Sequence, residues 1–466
     1  MFRKVSRDPI HFEIHLYPLE ILVTDTRIMQ RLRFLSQLAG ATVVYPGATH
    51  TRFAHSLGTM HLAGVYAKNL FSEHGKIRIV RLASLLHDAG HGPFSHQFDD
   101  AVYKRYGYKD GHDEFRKRLV LEKLPEEMLR VYECYNERMK SAIEEDLELT
   151  LGRKISLEEG FKILAEKIVE VFEGEKTGSV EFNVIQGPLG ADRLDFLLRD
   201  SYHSGVGHFA PMNVDRILRY SLVKQKDGKP ILCYHVKVVD NIYSVLFSRF
   251  MMYKNVYFHK TARAADLMIQ EILRYACDIL DLKERLNNLD EFLKLTDHSI
   301  LVELERCTDD SWEGREAKKL VERFKARDLW KMVLERPLTM PGKDLSTVSE
   351  LYGRRLVDAI VENLEKALRS GNVRDEDLEK IRDICSHKER YFKIDTPYRL
   401  TILHPEEFVQ SNVFLYDPTS DDILSFEDYV RKNPTYQAFS NNILQIVRVY
   451  VTEDIRELLY RYRAIP

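Results

Sequence analysis

The chain has 466 residues, 44% of them hydrophobic and 30% charged, and a net charge of −3. This composition is typical of a soluble protein, and the length allows two or three domains. This charge balance gives no bulk electrostatic reason to bind nucleic acid or anionic lipid, and neither a membrane span nor a secretory signal is visible. The five cysteines are scattered without a CxxC pair, which argues against a zinc ribbon or a disulfide framework. We therefore expect a cytoplasmic protein without a membrane or nucleic-acid partner.

The first fifty residues are predicted to form a strand, a helix and a second strand. Residues 9–16 alternate apolar and polar side chains, as a half-buried strand does. Asp25 can cap a helix that continues to Gly40, where the glycine would end it. Residues 42–50 then favour a strand followed by a loop.

Helices dominate the sequence from there to residue 275. Two are predicted over residues 51–71 and 77–88, and the second is apolar on most faces, which indicates a buried helix ended by the glycines and proline of residues 90–93. One exception is a β-hairpin around Asp227-Gly228, a dipeptide that favours tight turns.

The last two fifths of the chain differ from the rest in composition and in predicted secondary structure. Residues 276–395 are predicted to be helical, amphipathic and highly charged, with acidic and basic side chains alternating, which favours a solvated face over a nucleic-acid patch. Residues 396–466 favour strands with Pro- and Asp-rich turns and a closing helix. The predicted fold is therefore mainly α, with a core over residues 1–275, a helical extension and a smaller α+β C-terminal region.

The segment RLASLLHDAGHGPFSHQFDD, residues 81–100, concentrates titratable side chains at a helix end. Adjacent His87 and Asp88 can coordinate one metal ion, and imidazole and carboxylate ligands suit iron, manganese, zinc or nickel. Upstream, His55 lies one helical turn after Arg52 and faces the same way. Such a pair taken alone is more often an ordinary polar group at a helix end.

A further group follows a Gly/Pro turn in GPLGADRLDFLLRD. Asp192 falls in the first turn of the predicted helix, and Phe196 and Asp200 follow at helical spacing on one face. The order of these residues along the chain is His, His-Asp, Asp.

That order is the order of the HD superfamily of metal-dependent phosphohydrolases. More narrowly, the chain resembles the deoxynucleoside triphosphate triphosphohydrolases of the SAM-and-HD-domain type in the segments DPIH, DTRIMQRLRFLSQLAG, YPGATHTRFAHSLG, LLHDAGHGPFSH and ADRLDFLLRDSYHSG. The resemblance extends from Asp8 to Phe98, returns at residues 187–207 and 241–269, and thins in the C-terminal third. It implies a helical HD core that begins close to residue 1, so we expect no SAM domain.

The resemblance implies one divalent transition metal (Fe, Mn, Zn or Ni), with Mg²⁺ accompanying the substrate. The implied ligands are His55, His87, Asp88 and Asp192. In the family, a deoxynucleoside triphosphate (dNTP) is hydrolysed at the α-phosphorus to a deoxynucleoside and inorganic triphosphate, and the metal makes water more acidic and polarises the phosphoryl group.

The resemblance also implies an acid–base set and a substrate pocket. The acid–base set is His96, Asp99 and His112. The implied substrate-binding residues are Gln37, Leu38, Arg52, His91, Arg193, Asp200, Arg249, Tyr257 and His259. Phe196 stands where relatives have Tyr, Tyr202 where they have His and Ala54 where they have Glu. The first departure leaves the strictness of deoxyribose selectivity open.

A regulatory nucleotide, GTP or a dNTP, is implied between subunits of a homodimer or homotetramer. The matching residues are Lys4, Val5, Asp25, Gln30 and Arg33, with Lys393 and Arg390 supplied by another subunit. Glu389 stands where an Arg is expected, and the arginines of residues 31–33 could equally form a solvated helix face.

The leading prediction is a nucleotide-activated dNTP triphosphohydrolase. A second possibility is another HD phosphohydrolase, either a monophosphatase or a phosphodiesterase, although no GYP motif follows the HD region and HDAGHG replaces the HDxxED of alarmone hydrolases. A third is a nucleotide-sensing protein with a silent site. The sequence offers no role for His11.

Overall fold

The computed structural model describes residues 4–338, 345–397, 400–401, 413–433 and 443–466. Over these residues the fold is mainly α with small sheets, which confirms the predicted class. The α-helices of five residues or more are Pro18–Thr24, Arg27–Arg31, Arg52–Leu70, His74–Leu86, Gly111–Arg118, Leu124–Glu133, Glu137–Leu151, Leu157–Glu173, Val180–Gln186, Ala191–His203, Val214–Arg219, Val239–Met252, Lys260–Ile279, Leu282–Asn287, Asp297–Arg306, Trp312–Lys325, Leu345–Arg369, Asp375–Ser386, Phe426–Lys432 and Glu453–Arg461.

Three small sheets accompany the helices in the described parts of the chain. An N-terminal antiparallel hairpin pairs Lys4–Asp8 with Phe12–Leu16. A second sheet has the strand order Ser221–Lys226, Lys229–His235, Phe414–Asp417, Asp422–Ser425. In the third sheet, Ile443–Val451 pairs with Lys331–Leu338, Lys393–Asp395 and Leu400–Thr401.

Several predicted elements are confirmed. The helices over 51–71 and 77–88 are Arg52–Leu70 and His74–Leu86, and the second is buried along most of its length. The hairpin turn lies at Asp227 and Gly228, both with positive φ (53° and 74°) as a tight two-residue turn requires. The closing helix is Glu453–Arg461. The predicted strands after residue 395 are present where they are described, and residues 402–412 and 434–442 lie outside the described residues.

The predicted helix from Asp25 to Gly40 is wrong in both its start and its length. Thr26, not Asp25, accepts the capping hydrogen bond from the Met29 amide, and the helix ends at Arg31 before a single 3₁₀ turn. Leu35 is extended because its carbonyl accepts the amide hydrogen of Arg52, and Ser36 donates its amide and hydroxyl hydrogens to Asp297. Tertiary hydrogen bonds thus outweigh local helix propensity here.

Two further predictions are wrong. The strand predicted to begin at residue 42 is absent, because Thr42 and Val43 belong to the 3₁₀ helix Ala39–Val43. This helix packs against the helix Lys260–Ile279, where Asp266 accepts the Gly40 amide hydrogen. Within the segment expected to be all helical, Lys331–Leu338 is a strand because it finds a nine-residue partner, Ile443–Val451. The predicted domain boundaries remain a prediction.

The helices that position the candidate site lie in the larger of two clusters of buried apolar side chains. Arg52–Leu70 packs against His74–Leu86 on one side and Ala191–His203 on the other. The second cluster joins the third sheet to the helices Leu345–Arg369, Asp375–Ser386 and Glu453–Arg461. In the parts of the chain that the structure describes, no helix is both long and apolar enough to span a bilayer.

Candidate active site

Three helices bring the four predicted metal ligands to one point. His55 lies in the first turn of Arg52–Leu70, Asp192 lies in the first turn of Ala191–His203, and His87 and Asp88 follow the last turn of His74–Leu86. His55 Nε2 is 3.0 Å from Asp192 Oδ1 and 3.2 Å from His87 Nε2. The carboxylate of Asp88 lies 3.3 Å from His87 Nε2 through Oδ1 and 3.9 Å from His55 Nε2 through Oδ2.

The hydrogen bonds behind these imidazoles show that the residues fit a metal ion. His87 Nδ1 lies 2.8 Å from the carbonyl oxygen of Ser84, which can only accept, so we assign its hydrogen to Nδ1 and leave Nε2 bare. His55 Nδ1 lies 2.8 Å from Asp195 Oδ2. With His55 neutral, two nitrogen lone pairs would face each other beside Asp192, an arrangement that a cation stabilises.

The carboxylates around His55 also favour the binding of a metal ion. Burial lowers the pKa of His55, but hydrogen bonds to Asp192 and Asp195 outweigh burial and raise that pKa to about 10. The carboxylates therefore favour a positive charge between them, either a proton on His55 or a metal ion in its place.

Arg52 joins this centre to the loop after it. Its guanidinium lies 2.6 Å from Asp88 Oδ2 and donates to the Ser95 hydroxyl, which in turn donates to the Ser36 carbonyl. Burial would raise the pKa of Asp88, but Arg52, His87 and His91 together outweigh burial and hold that pKa well below its usual value. Phe94 and Ser95 both have a positive φ, so the backbone is strained directly before His96.

The predicted acid–base residues form a second group around Asp99. Its Oδ2 lies 3.0 Å from His96 Nδ1, 3.3 Å from His112 Nδ1 and 3.8 Å from His91 Nδ1. Burial opposes ionisation of Asp99, but His112 and His96 lower its pKa well below the usual value. The His96 side chain is 70% exposed, so it can reach a bound molecule, whereas His91 is buried and stacks on His112.

A pocket of about 450 Å³, including its open mouth, joins the two groups. Its lining residues are Gln37, Arg52, His55, His87, Asp88, His91, His96, His112, Gln186, Asp192 and Phe196. All of these except Gln186 and Phe196 were predicted site residues. Gln186 ends a short helix and accepts a long hydrogen bond (3.5 Å) from Arg116, and no motif in the sequence indicated it.

Asp200 and Tyr257 are not among the lining residues but are linked to Phe196, which is. Tyr257 donates to Asp200 at 2.6 Å, and its ring contacts Phe196 edge-on at 6.5 Å. His50, which the sequence analysis did not select, lies 2.8 Å from the other oxygen of Asp200.

The other predicted substrate residues lie outside the described lining of the pocket. Leu38 follows Gln37, Arg193 donates to the Gly187 carbonyl at 3.4 Å, and the Arg249 guanidinium lies 5.0 Å from the Tyr253 ring. His259 caps the helix Lys260–Ile279 by accepting the Thr261 amide hydrogen.

The predicted regulatory residues lie on several elements of the fold. Lys4 and Val5 are exposed on the first strand. Asp25 accepts from Tyr135, while Gln30 accepts from Arg33, whose guanidinium covers the Phe53 ring at 3.6 Å. Lys393 lies in the third sheet, paired with Glu271 at 3.0 Å. Their assembly into one regulatory site remains a prediction.

Comparison with known families agrees with the site. An HD domain profile matches residues 52–169 and an HD-associated region profile matches residues 214–367. The first match contains His55, His87 and Asp88, and Asp192 lies between the two. The chain is therefore a member of the HD-domain proteins, with an HD domain followed by an HD-associated region.

Among curated proteins, relatives include enzymes and one uncharacterised protein. The deoxynucleoside triphosphate triphosphohydrolase SAMHD1 of Bos taurus is 28% identical over 359 residues, covering 71% of this chain and 59% of that protein. SAMHD1 of Homo sapiens is 27% identical over 376 residues, 75% of this chain and 57% of that protein. The uncharacterised protein MJ1154 of Methanocaldococcus jannaschii is 31% identical over 313 residues, 65% of this chain and 58% of that protein. The chain thus matches less than two thirds of each relative.

Proposed function

We propose that this protein is a metal-dependent dNTP triphosphohydrolase that releases a deoxynucleoside and inorganic triphosphate. The observation that carries the proposal is the convergence of His55, His87 and Asp192 in a pocket that His96 also lines. The names of the SAMHD1 relatives support the substrate class.

The pocket suits a polyanion next to a metal ion. A divalent ion held by His55, His87, Asp88 and Asp192 would supply Lewis acidity, which makes water more nucleophilic at neutral pH and polarises a phosphoryl group. Arg52 keeps Asp88 ionised through a 2.6 Å contact and carries positive charge to the pocket wall. Burial and the nearby Arg52 hold the pKa of His91 well below its usual value, so His91 acts as a neutral hydrogen-bonding group.

His96 is the group placed to protonate the leaving oxygen. With Nδ1 bonded to the ionised Asp99, its other ring nitrogen is free to hold a proton and give it to a developing alkoxide. Asp99 thus orients the imidazole, and His112 shares the same carboxylate oxygen.

The test is product analysis on the purified, metal-loaded full chain. Each dNTP and NTP, singly and in mixtures, is incubated with the protein, and products are separated by ion exchange. We expect intact triphosphate, abolished in His87→Ala and Asp88→Ala. His74→Ala, an exposed residue at the start of the helix that precedes the HD pair, is the matched control and retains activity.

Other products would redirect the assignment. Stepwise release of single phosphates contradicts the proposal and favours a monophosphatase, and a cleaved diester favours a phosphodiesterase. No turnover with any nucleotide mixture and metal favours a nucleotide-sensing protein with a silent site.

We also propose activation by GTP or a dNTP bound between subunits of a homodimer or homotetramer. Exposure of Lys4 and Val5 supports it, as does the proximity of Gln30 and Arg33. Asp25 would complete this half of the site, and Lys393 of another subunit the other half. Turnover that occurs only in nucleotide mixtures, and is lost in Arg33→Ala, is the expected outcome, whereas equal turnover of single nucleotides contradicts it.

A further inference from the structure

Asp195 is a fully buried carboxylate that contacts the back of a metal ligand. Its Oδ2 lies 2.8 Å from His55 Nδ1, the nitrogen that faces away from the proposed metal. Asp192, one turn earlier on the same helix, lies 3.0 Å from His55 Nε2. One helix therefore contacts both nitrogens of this imidazole, one on the metal side and one behind it.

The two imidazole ligands differ in how they are oriented. His87 is oriented by the carbonyl of Ser84 in its own helix, so its orientation follows from local helix geometry. For His55 Nδ1 the partner in its own helix, the Thr59 hydroxyl, is 3.5 Å away, whereas Asp195, 140 residues away in sequence, is 2.8 Å away. The orientation of the His55 imidazole therefore depends mainly on whatever holds Asp195.

Two groups hold Asp195, and one of them belongs to the N-terminal hairpin. Arg199 donates to both carboxylate oxygens, from Nε at 2.8 Å and from Nη2 at 3.0 Å. His11 Nε2 lies 2.6 Å from Oδ1. The remaining nitrogen of Arg199, Nη1, donates to Asp8 Oδ2 at 2.7 Å.

The hairpin turn is built to present these groups. Asp8 Oδ1 accepts the backbone amide hydrogens of Ile10 and His11, each at 2.9 Å, which fixes the turn between the two strands. The His11 ring also stacks on His61, on the same helix as His55, at 5.0 Å. The turn thus supplies one donor to Asp195 and one acceptor to Arg199.

Close packing leaves this network little freedom. A Cβ at Gly58, on the helix that carries His55, would lie 2.0 Å from Asp195 Oδ1 and 2.3 Å from Arg199 Nη2. The pair therefore occupies the space that a side chain would take, directly against the helix backbone.

We propose that Asp195 is the positioning residue that orients His55 for metal binding, and that Asp8 and His11 of the N-terminal hairpin hold Asp195 in place. The hairpin, far from the ligands in sequence, then sets the affinity of the metal site. This inference rests on the metal centre of the proposed function and not on its substrate.

The experiment measures Co²⁺ affinity of the full chain by competition with a chelator, together with the visible d–d absorption of the bound ion. Removing a group behind a metal-bound histidine typically weakens metal affinity about 10- to 100-fold. We expect such a loss in Asp195→Asn and about a tenfold loss in His11→Ala, with an altered d–d spectrum in both. His11→Gln, whose amide can donate to Asp195, should recover most of the affinity.

Control variants separate the possible outcomes. His15→Ala, on the same hairpin but half-exposed, should bind Co²⁺ like the wild type. If Asp195→Asn fails to fold, the His11→Ala variant still tests the inference, because it leaves the Asp195–Arg199 ion pair intact. Wild-type affinity and spectrum in folded His11→Ala would overturn this inference while leaving the metal centre standing. A wild-type chain that binds no Co²⁺ would overturn both the inference and the metal centre.

Discussion

Tyr257 and His50 each form a hydrogen bond to one oxygen of the buried Asp200 carboxylate, at 2.6 Å and 2.8 Å respectively. Burial and the charge of Asp200 hold the pKa of Tyr257 well above its usual value, so the phenol stays protonated and remains a donor. Under the proposed function, this carboxylate would bind the sugar, and both partners would fix its orientation.

Tyr257→Phe should destabilise the fold by about 1–3 kcal/mol, because it leaves a buried carboxylate oxygen without its donor. Urea denaturation measures the change. Tyr202→Phe, on the same helix as Asp200 and 57% exposed, is the control and should change stability little. Equal stabilities of the two variants would show that the hydrogen bond contributes nothing.

Phe196→Tyr should sharpen discrimination between dNTPs and NTPs. Phe196 lines the pocket and meets Tyr257 edge-on, so a hydroxyl there would face the region proposed for the sugar. A hydrogen bond of about 1 kcal/mol corresponds to a change of about fivefold in the ratio of kcat/KM values. Competition assays with paired dNTP and NTP substrates measure this ratio. An unchanged ratio would mean that Phe196 does not contact the sugar.

Gly58→Ala should destabilise the protein by about 2 kcal/mol, although alanine is the better helix former by about 1 kcal/mol. The added Cβ would overlap the buried Asp195–Arg199 pair, which must then move. Gly207→Ala is the matched control, since a Cβ there meets no atom within 4 Å. Thermal unfolding compares the two, and a stabilised Gly58→Ala would contradict the described packing.

The stability contributed by Glu127 should depend on pH. Burial opposes ionisation, but Arg27 and Arg130 outweigh it and lower the pKa of Glu127 to about 2. Because the pKa is about 4.5 in the unfolded chain, this stabilisation is present at neutral pH and is lost as the pH falls from about 5 to about 2.

Glu127→Gln should therefore cost about 2 kcal/mol at pH 7, with allowance for the solvent screening of half-exposed Arg27, and progressively less on acidification. Urea denaturation at pH 7, 5 and 3 measures this difference. Glu122→Gln, 57% exposed beside Arg118, is the control and should show no such trend. A difference that is constant with pH would contradict the ion-pair explanation.

The sequence predicted the parts of the site that depend on local spacing. His87 and Asp88 are adjacent, and His55 follows Arg52 by one turn, so helix periodicity alone places each pair. Asp195 and His11 are 184 residues apart and lie in two separate segments of the family resemblance, so nothing local links them. The helix predicted up to Gly40 is wrong for the same reason. The Ser36 amide donates to Asp297, 261 residues away in sequence, and no local pattern predicts that hydrogen bond.

The turn at Asp8 and His11 also bears on how an active member of this family is recognised. A chain that begins after residue 11 would retain every predicted metal ligand and every acid–base residue discussed above. Judged by these motifs alone, it would be taken for an intact enzyme. On the proposed role of the hairpin, such a chain would nevertheless load metal poorly. Competence would then depend on a dozen N-terminal residues that carry none of the chemistry.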